Sequence, residues 1–484
     1  MNPTRSIPRP PSPDLRSPAL ALCLLLSACT AVGPNYQKPA STAPAAYKNT
    51  SAPSSKTSDL KSSAAWWLVF NDPALNELET AALAQSPPLT AAIARLDEAR
   101  ARLGLARADR QPALTTSATA KLAGESAERT LPVPPRTITY RERGDSYRIP
   151  FDAAYELDLW GRVRRAVEAA GAQAAASEQD LAFVQLVLTA DLAQAYFNLR
   201  ALDTELRVLT ETIALRYDQL SLHQTRFNAG LTQELDLQRT RAELANAEAE
   251  QADIRRRREQ TVNALAVLTG RAPADFNLVT TATASTAPPA IPAGLPSALL
   301  QRRPDVVAAE RLLAARTAEI GVAKASFFPT LRLTGSAGFE SADLGSLLGR
   351  PSQFWQIGPS FNYTLLDGGR TRANLQAAEA RARAAFAEYQ QKVLVAFRDV
   401  EDALVDLRQQ GEQAAALTRA LDAAQATVEL ATKRYDKGLV NFFDVIDAQR
   451  GQLTAERALA RLDGARHAST VRLIKALGGG WSAE

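Results

Sequence analysis

The stretch SYRIPFDAAYELDL, residues 146–159, alternates strictly: Tyr147, Ile149, Phe151, Ala153, Tyr155, Leu157 and Leu159 fall on one side, and Ser146, Arg148, Asp152, Glu156 and Asp158 on the other. Period two marks an extended strand whose two faces meet different surroundings. A second stretch, 354–366, sets Trp355, Ile357, Phe361, Tyr363 and Leu365 against Gln356, Ser360, Asn362 and Thr364 on near alternation. Weaker alternation runs through about 112–123, where it covers Leu114 to Leu122, and through about 329–340, where it covers Leu331 to Phe339. The reading is four strands of about ten residues, the length that crosses a bilayer at a tilt. A half-buried hairpin of a soluble sheet alternates in the same way, so the segment leading the chain has to decide.

Residues 1–28 carry scattered arginines and a short apolar run from Ala19 to Leu26, and then come Leu26-Ser27-Ala28-Cys29. The run is too short to span a bilayer and reads as an export signal. Its last four residues have the form of a bacterial lipobox, in which the cysteine becomes the lipidated first residue of the mature chain; Cys29 is therefore the expected anchor. Thr30, in place of an aspartate, directs the protein to the outer membrane of a Gram-negative cell. The most apolar later segment, Leu181 to Phe197, is interrupted by Gln185, Asp191 and Gln194. A bilayer can then be crossed only by strands. Four strands do not close a barrel, and an open edge is not stable in lipid. Several identical chains must share one barrel, as a cyclic oligomer.

The chain also repeats itself. Ala195, Leu199 and Arg200 match Ala403, Leu407 and Arg408, and Arg226, Gly230, Leu231 and Asp236 match Arg434, Gly438, Leu439 and Asp444. Tyr155, Gly161, Arg162 and Arg164 match Tyr363, Gly369, Arg370 and Arg372 at the same offset. Upstream the offset is larger, with Leu103, Gly104 and Pro112 against Ile320, Gly321 and Pro329, so the first copy has the longer loop between Pro112 and Tyr155. From Arg162 to Arg226 and from Arg370 to Arg434 there is no proline, and each run predicts one helix of roughly 100 Å at about 1.5 Å per residue. Each ends at a glycine, Gly230 or Gly438, suited to a left-handed helix stop. Return helices are expected over about Gln233 to Leu268 and Asn441 to Leu477, with Ala74 to Arg110 and Asp305 to Phe327 as their end-to-end partners. The layout is a signal peptide (1–28), an anchor and belt segment (29–73), repeat 1 (74–270), a linker and belt (271–296), repeat 2 (297–477) and a tail (478–484).

Composition agrees with a helix-dominated chain: 46% of residues are hydrophobic but only 6% aromatic. The net charge is +4, part of it in the first 28 residues, and nothing in it suggests nucleic acid. The cysteines are Cys23 and Cys29 and the histidines His223 and His467, an inventory that builds no disulfide framework, metal site or catalytic constellation. No enzyme and no cofactor are expected. Both histidines read as exposed helix positions, and Arg255 to Arg258 as a solvated helix face.

Several motifs now join these features. Cys29 is followed by Val32-Gly33-Pro34-Asn35-Tyr36 and Pro39; then come Trp66-Trp67, Phe70, Asp72-Pro73 and Leu75. Further on are Leu295-Pro296-Ser297, Arg302-Arg303-Pro304-Asp305, Ala309-Glu310-Arg311, Gly321, Ala323 and Phe328-Pro329. Together they resemble the outer-membrane factor family, the TolC-like ducts, and most nearly the lipidated branch serving resistance-nodulation-division efflux systems. Gln85-Ser86-Pro87-Pro88-Leu89 departs from the family's usual Asn and acid at this helix start. The resemblance implies an α plus transmembrane β fold: a homotrimer with a twelve-stranded barrel, four strands per chain, and a long periplasmic helical barrel. It also implies a belt that includes the stretch around Thr280 to Ala293. The implied function is the exit duct of a tripartite efflux pump, with a periplasmic adaptor and an inner-membrane transporter as partners and outer-membrane lipid around the barrel. The alternative is the duct of a type I protein-secretion system. Adaptor docking would fall on Arg226, Gly230 and Asp236 and on Arg434, Gly438 and Asp444; the periplasmic aperture would fall on Asp444 and Asp447.

Overall fold

The computed structural model describes residues 31–40, 43–49, 65–124, 130–133, 136–139, 143–278, 287–292, 294 and 296–479. The signal segment, Cys29, and much of both the belt stretch and the tail lie outside the described residues. The chain divides into two compact units. One comprises 1–38, 98–175 and 311–387 and contains the strands; the other comprises 39–97, 176–310 and 388–484 and contains both hairpin tips.

In the strand unit, β1 (Ala113–Thr116) and β2 (Thr119–Gly124) pair in succession along β5 (Arg143–Leu157), which pairs with β6 (Thr330–Ser341), which pairs with β7 (Gln353–Asn362), all antiparallel. The first expected strand is thus broken at Ser117 and Ala118. The longer loop of the first repeat carries a separate hairpin of β3 (Thr130–Val133) and β4 (Arg136–Thr139). β5 ends at Leu157, short of the expected 159, because Asp158 turns to cap the next helix: its carboxylate accepts from the Val163 and Arg164 amides at 3.1 and 2.8 Å. Pro150 lies inside β5, where it offers no N–H to the ladder. Gly338 stands opposite it, and a Cβ there would come within 2.1 Å of the Ile149 carbonyl oxygen.

The Val32-Gly33 motif is explained in the same unit. Val32 donates its amide to the Trp160 carbonyl at 3.0 Å. The buried Arg165 guanidinium reaches the Val32 and Gly33 carbonyls and bonds the Asn35 side chain at 2.7 Å. Gly33, at φ 98°, passes so close to Gly321 that a Cβ would sit 2.5 Å from its Cα. Two glycines at one crossing are a steric requirement.

Helices α1 (Pro73–Gln85), α2 (Pro87–Ala108), α3 (Arg162–Asn228), α4 (Glu234–Leu268), α5 (Pro296–Arg302), α6 (Pro304–Ala325), α7 (Arg370–Asp436) and α8 (Phe442–Ala476) complete the chain. The expected helix from Ala74 to Arg110 is two helices, because Ser86, before Pro87, takes an extended conformation (φ −66°, ψ 121°). Both long helices have 67 residues and both return helices 35, so the same order of elements recurs in the two halves.

The main core of the second unit packs Trp66, Leu75, Leu78 and Ala82 against Leu192, Tyr196, Leu265 and Ile474. Each fully buried Leu there contributes about 1.5–3 kcal/mol. Polar contacts fix its register: the Trp66 indole donates to Thr189 Oγ1 at 3.1 Å, and the Tyr196 hydroxyl donates to Asp72 at 2.7 Å. The Arg302-to-Asp305 motif is structural, since buried Arg303 bonds Asp305 at 2.8 Å and Asp399 at 2.8 Å. The expectation of exposed histidines is corrected: His223 and His467 are only 1% and 7% exposed. His467 stacks on Phe197, with ring centroids 4.7 Å apart.

Candidate functional site

The strand register settles which side chains share a face, since directly opposed residues point the same way. One face carries Leu114 and Leu122, then Tyr147 through Leu157 at alternate positions, then Leu331, Leu333, Ala337 and Phe339, then Trp355, Ile357 and Phe361. The opposite face carries Lys121, Arg148, Asp152, Glu156, Arg332, Ser336, Glu340, Gln356 and Ser360. Its charges pair across strands, Arg148 with Glu340 at 3.6 Å and Arg332 with Glu156 at 3.5 Å. The apolar face is exposed, Trp355 at 79% and Ile357 at 71%. A sheet with this apolar face uncovered is unstable in water and suited to hydrocarbon. Each outer edge, β1–β2 and β7, pairs on one side only among the described residues.

At the tips of the hairpins the two turns are built alike. Gly230 and Gly438 hold φ 71° and 69°, and the amides of Leu231 and Leu439 reach back to the Arg226 and Arg434 carbonyls at 2.8 and 2.9 Å. This is the six-residue closure that glycine permits at a helix end. The residues just past the glycines, Leu231 and Leu439, are 76% and 64% exposed. On the return side α8 opens with a capping box: the Asp444 amide donates to Asn441 Oδ1, and the Asn441 amide donates to the Asp444 carboxylate, both at 3.2 Å. α4 lacks a side-chain cap at Gln233, and Asp236 accepts instead from the Thr232 hydroxyl at 3.3 Å.

Of the residues marked in the sequence, Asp444 and Asp447 are exposed one turn apart at the start of α8, and Arg434 is exposed at the end of α7. Arg226 lies elsewhere in the network. It bonds the Tyr435 hydroxyl at 2.7 Å and so ties the first hairpin to the second. The sequence reading missed the other members of this contact, His223, Tyr435 and Phe442. Phe442 is buried against His223, ring centroids 3.9 Å apart, and packs on Tyr435 at 5.3 Å. Arg239 lies over the Phe443 ring at 5.1 Å. A signal for His223 was present: Leu202, Leu209, Arg216 and His223 follow at seven-residue intervals, and all four are buried. A heptad interval keeps a residue on the seam. Among the described residues no group of three or more His, Cys, Asp or Glu is placed to hold a metal, and no helix is long and apolar enough to cross a membrane.

The family described as outer membrane efflux protein matches residues 78–271 and again 295–479. The solvent efflux pump outer membrane protein SrpC of Pseudomonas putida is 36% identical over 471 residues, covering 96% of this chain and 98% of that protein. Outer membrane protein OprJ of Pseudomonas aeruginosa is 34% identical over 474 residues, covering 96% of this chain and 95% of its own. Among solved structures, the outer-membrane channel OprN superposes with a TM-score of 0.85 at 34% identity, covering 93% of this chain and 99% of that one.

Proposed function

This chain belongs to the outer membrane efflux protein family, and on that premise we propose that it is the exit duct of a tripartite efflux pump. It takes small molecules from an inner-membrane transporter and its periplasmic adaptor and conducts them passively across the outer membrane. The observation that carries the reading is the segregated sheet, with apolar side chains along the middle of one face, charges paired across strands on the other, and both edges open among the described residues. In hydrocarbon each unpaired backbone group costs several kcal/mol, so identical sheets join edge to edge until the ring closes. Three copies give the twelve strands of a TolC-like barrel, lipid outside and polar lumen inside.

The remaining assignments follow. Cys29 carries the lipid, as the cysteine that closes Leu26-Ser27-Ala28-Cys29 directly after the apolar run. Exposed Leu231 and Leu439 give each tip an apolar knob for the adaptor, flanked by Arg226, Asp236, Arg434 and Asp444. Asp444 and Asp447, three residues apart on one helix face, form two stacked acidic rings under threefold symmetry and make the resting aperture cation-selective.

Planar-bilayer recording of the purified oligomer tests both levels. The wild type should show a small cation-selective conductance, and Asp444→Ala with Asp447→Ala should raise it roughly twofold or more and weaken the selectivity. Unchanged conductance and selectivity in the double variant would remove the aperture assignment; a protein that forms no pore in either form would remove the duct.

A further inference from the structure

His223 does nothing in the proposed conduction path, yet it occupies the seam between the two hairpins, 1% exposed, with its ring against Phe442 of α8. Its Nδ1 is buried without a hydrogen-bond partner among the described residues. We propose that His223 is a proton-operated pin, holding the two hairpin tips together while neutral and releasing them on protonation. The geometry carries the argument. A neutral imidazole serves as an aromatic filler against Phe442, whereas an imidazolium needs two acceptors or water and finds neither at Nδ1.

The charged surroundings act in the same direction. Burial lowers the imidazole below its ordinary range; Arg226, one turn on along α3, lowers it further, and Asp236 of α4 opposes them. Packed against it, α8 contributes the uncharged Phe442, and α7 contributes Tyr435, which engages Phe442 and accepts the Arg226 hydrogen bond. A single carboxylate faces two cations once the ring is charged. The sign follows. Above pH 6.5 the ring is neutral in both packed and parted tips, and the contact has full strength. As the pH falls below 6.5 the parted form takes up the proton first, and the packed form loses ground until its own lowered pKa is passed. One proton changes the balance by up to about tenfold per pH unit in that window.

The proposal depends on the mouth assignment only for its effect on flux, so two readouts separate them. Hydrogen exchange of the intact oligomer, corrected for intrinsic rates, is compared at pH 7.5 and 5.5 in peptides spanning the two tips. The wild type should lose about tenfold in protection on acidification. His223→Phe, which keeps the aromatic contact without a titrating group, and His223→Gln, should each show the same protection at both pH values. His467→Phe serves as the control and should keep the wild-type response. Equal wild-type protection at the two pH values overturns the pin, as does a pH response that survives in both His223 variants or vanishes with His467. Bilayer conductance supplies the second readout. If it rises on acidification only where His223 is present, pin and mouth are coupled. If the tips loosen while conductance stays constant, the pin stands and the mouth assignment fails.

Discussion

Glu79 shows how much a single residue can set against the core that contains it. It lies on α1 between Leu78 and Ala82, fully buried, and neither carboxylate oxygen has a hydrogen-bond partner among the described residues. Burial alone pushes its carboxyl up from 4.5 to about 9, so it is a neutral acid at neutral pH. The consequence for stability has a definite sign. Below pH 4.5 folded and unfolded forms are both protonated, and Glu79 costs nothing through titration. Between 4.5 and about 9 the unfolded chain ionises while the folded one does not, and stability falls as pH rises. Glu79→Leu, which keeps the volume and removes the titration, should therefore stabilise the protein at pH 8 by an amount on the order of a few kcal/mol. The gain should shrink as pH approaches 4.5. Melting followed by circular dichroism at pH 5 and pH 8 measures it; a gain of equal size at both values would show that the carboxyl is solvated or partnered. Nothing in the sequence singles out Glu79, because burial is a property of what packs above it. Asp444 was marked in the sequence only for docking and the aperture, and its capping box with Asn441 is a finding of the structure.

At the scale of elements, the two return helices are joined by a ladder of ion pairs. Glu243 of α4 meets Arg450 of α8, and Glu250 meets Arg457 seven residues later in both helices. A seven-residue step repeats on the same face of each helix, so helices running in parallel meet at both rungs. The rungs differ in weight. Glu243 is buried and also bonds the buried Arg216 at 2.6 Å, and although burial by itself would raise its carboxyl, the two guanidinium groups hold it below the usual range. Arg450 is half exposed. Glu243→Ala strands Arg216 and should cost about 3–5 kcal/mol, whereas Arg450→Ala removes one solvent-facing partner and should cost about 1 kcal/mol or less. Denaturant unfolding of the two variants compares them, and equal losses would contradict the buried-charge account. The elements themselves were largely readable: the two long helices, the glycine stops and the four alternating strands come from periodicity, which is local. What was not readable depends on tertiary geometry. The break at Ser117 and Ala118, the β3–β4 hairpin and the contact of His223 with Phe442 depend on neighbours distant in sequence. Asp158 could be read as a strand residue on alternation alone, and only its bonds to Val163 and Arg164 show that it belongs to the helix.

For the molecule as a whole, the question is what the exposed sheet is for. Among the described residues of one chain its apolar face is bare and its edges open, a state that neither water nor lipid stabilises, and the proposed assembly would answer both at once. In the proposed trimer, pairing β7 of one copy with β1–β2 of the next would satisfy the edges, and the closed ring would turn one face to lipid and the other to a lumen. The two faces then respond in opposite ways to the same chemical change at adjacent positions. Ile357, midway along β7, belongs to the apolar face, and Gln356 to the polar one. An arginine at 357 must lie in hydrocarbon near the midplane, at a cost of about 2–4 kcal/mol per copy, three times over in a trimer. An arginine at 356 lies in the aqueous lumen and costs little. Extraction in mild detergent followed by light scattering should return three chains for the wild type and for Gln356→Arg, the latter with conductance shifted toward anions. Ile357→Arg should give a reduced yield of trimer. A monomeric wild type would reject the shared barrel, and if the two arginine variants assembled equally well, the apolar face would not be the one in lipid.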